Sequence, residues 1–170
     1  DDIINKFQLG YSRESKDAFT KTALNKGYKL EYLVKTGLTI QRDNDGFDRF
    51  HGRVMFPIHS LSGQVIAFGG RIIKPDEKAA KYINSPESEI YHKSNVLYGL
   101  FLAKQSIIKN DKCFLVEGYT DVLSMHQAGV ENVVASSGTA LTSVQLRLIK
   151  RFTKNVTVIQ VDDTNPQTPD

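Results

Sequence analysis

Residues 113 to 140, CFLVEGYTDVLSMHQAGVENVVASSGTA, constrain the chain more than any other stretch. Cys113 to Val116 is an apolar run of the length a buried strand needs, and it stops at Glu117-Gly118. A helix-period stretch follows, with Val122, Leu123, Met125, His126 and Ala128 on its less polar side. Gly129 ends that stretch, and a second apolar run, Val133 to Ala135, leads into Ser-Ser-Gly-Thr. Strand, helix and strand in so short a span make a βαβ unit, which requires parallel strands. In open parallel sheets ligands gather at the carboxyl ends of the strands. Glu117 stands at such an end, and Asp121 follows one helical turn later. The pattern leaves two readings open. Both acids serve a site, or they simply favour a helix N-terminus, where negative charge is welcome.

Composition narrows the setting. The chain has 170 residues, enough for one domain or for one domain and part of another. It is 40% hydrophobic and 24% charged, and no apolar run is long enough to span a bilayer. Residues 1 to 20 lack the basic start and apolar core of a secretory signal. The single cysteine, Cys113, sits in the expected buried strand, which fits a reducing compartment and excludes a cysteine-cluster zinc site within these residues. His51, His59, His92 and His126 lack metal-ligand spacing and are read as structural or surface residues. The net charge of +3 is uneven: residues 49 to 112 hold ten Lys or Arg against five Asp or Glu. A basic middle beside an acidic strand end suits phosphate chemistry, and it also suits a plain solvated surface.

Upstream, Asp1 to Gly10 reads as a strand. Ser12 or Ser15 is expected to cap a helix to about Asn25, with Ala18, Phe19, Thr22 and Ala23 inward and Gly27 beyond its end. A short helix over Leu30 to Lys35 follows, with Leu30, Leu33 and Val34 inward. Gln41 to Phe47 reads as a polar turn. Val54 to Ile58 and Val65 to Phe68 form a hairpin turned at Gly63, in which Pro57 argues against a central strand position. Gly69-Gly70 would let a backbone approach closely just before Arg71. Residues 81–86 and 92–95 read as basic, polar loops. A helix over about Leu100 to Lys109 carries Leu100, Ala103, Ile107 and Ile108 inward. Further helix and strand signals cover Thr142 to Phe152 and Val156 to Val161.

The order of these segments is more specific than any one of them. Arg49-x-x-x-Arg-Val-Met-Phe-Pro-Ile is followed by Ala-Phe-Gly-Gly-Arg, Lys-Tyr-Ile-Asn-Ser-Pro-Glu, His-Lys-Ser-x-x-Leu-Tyr-Gly, Val-Glu-Gly-Tyr-x-Asp-Val and Ser-Gly-Thr-Ala-Leu-Thr. The series closely resembles the RNA polymerase core of bacterial DNA primase, from near residue 2 to about residue 159. The resemblance implies an α/β fold in which an α+β N-terminal subdomain, residues 1–112, precedes part of a TOPRIM-like βαβαβ parallel sheet, residues 113–161. Residues 162–170 read as a polar tail. It implies synthesis of RNA primers from nucleoside triphosphates on a single-stranded DNA template.

Roles for individual residues follow from the same resemblance. Glu117 and Asp121 are similar to the TOPRIM acids that serve in metal binding or acid–base work. Arg49, Arg53, Arg71, Lys81 and Lys93 match the basic residues around the nucleotide and template groove. The implied cofactor is a pair of Mg²⁺ (or Mn²⁺) ions, with zinc only in a module upstream of these residues. The third strand departs from the family: an Asp-Gly-Asp is expected where Val161-Asp162-Asp163 stands. Asp162 and Asp163 are therefore the candidate metal ligands beside Glu117, in an incomplete site that leaves this chain inactive alone. Expected partners are the template strand, nucleoside triphosphates and, through a downstream module, a replicative helicase; no membrane is implied, and a cytoplasmic monomer is expected. The rival readings are a catalytically silent module that binds single-stranded DNA, a purely structural fragment, and another TOPRIM enzyme such as a topoisomerase or nuclease. The motifs upstream of residue 112 argue against the last, because TOPRIM alone would not bring them.

Overall fold

The structure is a computed structural model that describes residues 2–43, 45–74, 79–136, 138 and 140–160. The chain divides into two compact units, Asp1–Val96 and Leu97–Asp170. In the first, residues expected as a strand wind into a helix, α1 (Asp2–Phe7), because Ile3 and Phe7 share one side of it and Phe7 is buried. Strand geometry begins only at β1 (Gly10–Ser12). Helices α2 (Ala18–Asn25) and α3 (Leu30–Lys35) follow, and then a hairpin of β2 (Thr39–Arg42) and β3 (Asp45–Asp48). The polar stretch read as a turn over Gln41 to Phe47 is thus mostly paired strand, with Ile40 opposite Phe47 and Gln41 opposite Gly46.

The main sheet of this unit runs β1-β4-β5-β6 and is antiparallel throughout. Its strands β4 (Arg53–His59) and β5 (Val65–Ile72) form the expected hairpin, with Gly63 at φ 89° in the turn. Although β4 is an inner strand, Pro57 is tolerated there. Strand β1 reaches only as far as Met55, so at Pro57 one side of β4 has no ladder to break. Residues 82–84, read as loop, form β6 and cover β5. Gly69 and Gly70 consequently lie inside the sheet and not at its end. A Cβ on Gly70 would stand 2.6 Å from Phe50 Cδ1, so glycine is needed there for the Phe50 ring to pack.

A buried polar cluster joins α2 to the β2–β3 hairpin. Neither Ser12 nor Ser15 caps α2, since Ser12 is in β1 and Ser15 donates its hydroxyl to Asp17 Oδ1. Asp17 at the N-cap makes no capping bond, and its carboxylate pairs with Lys21. The orphan amides are met from a distance. Phe19 N donates to Asp48 Oδ2 at 2.7 Å, and Thr20 N donates to Asp48 Oδ1 at 2.8 Å. The Thr20 hydroxyl donates to the same Oδ1 at 2.6 Å, which leaves the Thr39 hydroxyl to donate to Thr20. Thr20, Thr39 and Asp48 are all buried. With its first turn held this way, α2 turns Thr20 and Ala23 inward, while Phe19 and Thr22, expected inside, are exposed.

The second unit holds the expected βαβ arrangement. Helix α4 (Leu100–Asn110) belongs here and packs on β8; it buries Leu100, Ala103 and Ile107 and leaves Ile108 in solvent. Strand β7 (Cys113–Val116) lies between β8 (Val133–Ala135) and β9 (Val156–Val158), parallel to both. Helix α5 (Tyr119–Gln127) connects β7 to β8 and buries Tyr119, Val122 and His126; Ala128 beyond its end is exposed. Helix α6 (Ser143–Lys150) starts with a reciprocal cap in which Gln145 N donates to Thr142 Oγ1 and Thr142 N to Gln145 Oε1.

Asp48→Ala leaves three donors without an acceptor in a buried setting. The first unit is expected to lose about 3 kcal/mol in urea unfolding, at about 1–3 kcal/mol per stranded donor after partial relaxation. A loss below about 0.5 kcal/mol would show that α2 does not depend on this carboxylate.

Candidate active site and phosphate-binding residues

Glu117 follows directly on β7, at the carboxyl end of the middle strand of the parallel sheet. Its side chain is exposed and forms no hydrogen bond or ion pair with another described residue. Asp121 is placed differently. It is the third residue of α5, and its Oδ2 accepts the Gly118 amide at 2.9 Å. One carboxylate oxygen of Asp121 thus caps the helix, and the local electrostatics favour it there. Of the two readings that the sequence leaves open, the capping role holds for Asp121, whereas Glu117 has no structural duty of that kind.

The surroundings of this strand end are closely packed. Tyr98 exchanges two backbone hydrogen bonds with Ala135, at 2.9 and 3.0 Å, and so closes the outer edge of β8. Its ring meets Tyr119 edge-on at 4.6 Å between centroids. Burial pushes the Tyr98 hydroxyl well above the usual phenol range. Gly99 turns the chain into α4 at φ 81°, where a Cβ would also approach Val122. The Leu-Tyr-Gly of the fourth motif therefore has a packing role. Sequence reading overlooked it, although a glycine just before a helical run was the available signal.

Among the described residues, no group of three His, Cys, Asp or Glu side chains could hold a metal ion. Asp162 and Asp163 lie outside the described residues. Exposed carboxylate oxygens are the donor type that Mg²⁺ or Mn²⁺ prefers, so the chemistry of Glu117 fits such an ion as one ligand among several.

The five basic residues belong to the first unit, and they do not form one face. Arg71 pairs with Val54 on one side and Tyr82 on the other, and its guanidinium lies 5.7 Å from the Tyr82 ring centroid. Arg53 pairs with Ile72, one residue further along, so the pleat sends Arg53 and Arg71 to opposite faces. Arg53 is buried, and its Nη1 donates to the carbonyls of Ala80 at 2.9 Å and of Gly70 and Lys81 at 3.4 Å. Burial lowers its pKa. Its hydrogen bonds pin the segment leading into β6. Lys81 is exposed beside Tyr82. Lys93 starts a 3-10 turn, Lys93–Asn95, in a loop tied back by Glu87, whose carboxylate accepts the Lys93 amide and the His92 ring nitrogen, each at 2.9 Å. Those two contacts hold the Glu87 carboxyl below its usual range. Arg49 follows β3, and its Nε is shielded from solvent without an acceptor, as is that of Arg71.

Comparison with known proteins places these features. Residues 1–104 match the model of the DNA primase catalytic core, N-terminal domain, and residues 114–166 match a Toprim-like model. This chain belongs to the DNA primase catalytic core family. The DNA primase of Helicobacter pylori is 50% identical over 150 residues, which are 87% of this chain and 26% of that protein. The DNA primase of Clostridium acetobutylicum is 42% identical over 164 residues, 96% of this chain and 27% of its own length. The chain thus spans about a quarter of these primases. Among solved structures, the Aquifex aeolicus primase (zinc-binding and RNA polymerase domains) superposes with a TM-score of 0.86 at 40% identity, over 93% of this chain and 39% of that one. The family match bears out the α/β class and the partial TOPRIM sheet. No helix among the described residues is long and apolar enough to cross a membrane.

The different duties of the two acids can be separated by stability alone. Asp121→Ala is expected to lower stability by about 1 kcal/mol in thermal or urea melts, because the helix start then has neither its cap nor its negative charge. Glu117→Gln should change it by less than about 0.5 kcal/mol, as for an exposed side chain without partners. Equal losses would overturn the division.

Proposed function

We propose that these residues supply the template- and nucleotide-handling part of a DNA primase, whose activity is RNA primer synthesis from nucleoside triphosphates on single-stranded DNA. The observation that carries this reading is the unpartnered Glu117 carboxylate at the carboxyl end of the central parallel strand, in a chain whose first 104 residues match the primase core. A solved primase catalytic domain described as bound to single-stranded DNA supports the choice of template. It is 37% identical, with a TM-score of 0.81 over 92% of this chain and 49% of that one.

Joining two nucleotides requires a hydroxyl to attack a phosphorus while pyrophosphate leaves, so negative charge builds on attacking and leaving oxygens. Mg²⁺ or Mn²⁺, held by Glu117 with Asp162 and Asp163, would neutralise that charge and sharpen the attacking hydroxyl. Asp121 keeps the first turn of α5 in place behind Glu117. Arg71, Lys81, Lys93 and Arg49 take phosphates, the arginines through two parallel donors and the lysines as point charges. Tyr82 offers a ring face beside Arg71 on which a base can stack. Arg53 acts through Lys81, by fixing the backbone on either side of that residue. Extended contact with one strand through its phosphates makes binding tolerant of sequence and sensitive to salt.

Fluorescence anisotropy with a labelled oligodeoxythymidylate tests the binding half. Affinity should fall steeply with salt, and Arg71→Ala with Lys81→Ala should reduce the slope by about 1.4, or about 0.7 for each phosphate no longer neutralised. Glu117→Gln should leave that affinity unchanged. In a primase polypeptide that contains these residues, the same substitution should lower Mg²⁺-dependent primer synthesis by at least about 100-fold. A flat salt response would sink the phosphate assignment, and an active Glu117→Gln enzyme would sink the catalytic one. Salt-dependent binding by a polypeptide that makes no primers even with Glu117 intact would favour the silent binding module.

A further inference from the structure

Three cationic or protonatable side chains that the proposed function leaves unused, Lys16, Arg42 and His51, converge with Arg49 on one cavity in the first unit. The cavity measures about 400 Å³ and is lined by Lys16, Arg42, Arg49 and His51, with Ile40 and Phe47 as its apolar wall. They come from separate parts of the chain. Lys16 lies ahead of α2, Arg42 ends β2, and Arg49 and His51 lie between β3 and β4. Backbone hydrogen bonds fix the arrangement: Asp48 N donates to the Lys16 carbonyl at 2.6 Å, and Arg49 N to the Leu38 carbonyl at 3.0 Å.

Asp48 is the one carboxylate among the lining residues, and its single negative charge is outweighed by the three cations Lys16, Arg42 and Arg49. Both of its oxygens are bonded by the α2 amides and the Thr20 hydroxyl, so none of the three cations pairs with it directly. Asp45 stands opposite Arg42 in the hairpin register yet neither pairs with it nor lines the cavity. Asp17, next to Lys16, is taken by Lys21. Arg49 Nε is out of contact with solvent and has no acceptor. His51 Nδ1 contacts the Asp48 carbonyl at 2.9 Å, and because a carbonyl can only accept, the ring donates there; Nε2 is then an acceptor in the neutral ring and a donor to an anion only when the ring is doubly protonated. The cavity therefore carries a net positive charge, which an outside anion would complement. The guanidinium of Arg42 or Arg49 and the ammonium of Lys16 are the donors that phosphate oxygens take.

We infer that this cavity is a second phosphate subsite, separate from Arg71, Lys81 and Lys93, which takes a phosphodiester of a bound strand or the phosphates of a free nucleotide. It rests on the reading that the first unit binds nucleic acid or nucleotide phosphates. Lys16 and Arg42 are both exposed, so removing their charges leaves the fold alone, and unchanged urea unfolding would verify that.

The test compares Lys16→Ala/Arg42→Ala with Arg71→Ala/Lys81→Ala, using labelled oligodeoxythymidylate and, separately, ATP as probes. If the subsite takes a strand, the first pair lowers the salt slope for the oligonucleotide by about 1.4 and the low-salt affinity about tenfold, and leaves ATP unaffected. If it takes a free nucleotide, the same pair weakens ATP about tenfold and leaves the oligonucleotide slope intact. Either result supports the subsite, even when the Arg71/Lys81 pair has no effect and the earlier surface fails. If the Lys16/Arg42 pair binds both probes like the parent chain, the inference is overturned while the Arg71 and Lys81 assignment stands. No binding of either probe by the parent chain overturns both.

Discussion

Strand β7 has a parallel neighbour on each side, and the second unit depends on that constraint. A middle strand can satisfy its amides and carbonyls only if β8 and β9 both reach it, and each returns through a helical crossover. The ladder pairs run from Cys113 to Val116, after which the chain must leave the sheet. Glu117 is the first residue free of the ladder. It is held at a fixed place by the strand behind it and by the capped α5 ahead, and is still open to solvent. The same backbone accounting explains Tyr98, which satisfies Ala135 on the outer side of β8 where β7 cannot reach.

Several charged side chains that suggest chemistry in the sequence carry the scaffold in the structure. Asp48 looks like one more acid in a polar stretch, but it closes the start of a helix 28 residues away in sequence. Arg53 sits in a motif rich in basic residues, but its guanidinium bonds to three backbone carbonyls. Asp121 shares its carboxylate with the Gly118 amide. A buried charge without partners is strongly unfavourable, so these groups are placed where backbone donors or acceptors surround them. The cations at the surface, Arg71, Lys81, Lys16 and Arg42, have no such commitments and remain open to an anion.

Local pattern was sufficient where one principle acted alone. The apolar runs at Cys113–Val116 and Val133–Ala135, the glycine stops at Gly27 and Gly129, and the turn at Gly63 all act within a few residues. The order of motifs identified the family because it samples the whole chain at once, and that determined the fold class. The tertiary structure decided what depends on distant neighbours. Helix α1 formed where a strand was expected, since burial of Phe7 selects the helical spacing. The stretches at 41–47 and 82–84 became strands because a partner strand lay alongside. Pleat and register put Arg53 and Arg71 on opposite faces, and the turns around β2 and β3 gathered Lys16, Arg42, Arg49 and His51 about one cavity. Residue type sets what a side chain can do, whereas only packing sets whether the backbone has already claimed it.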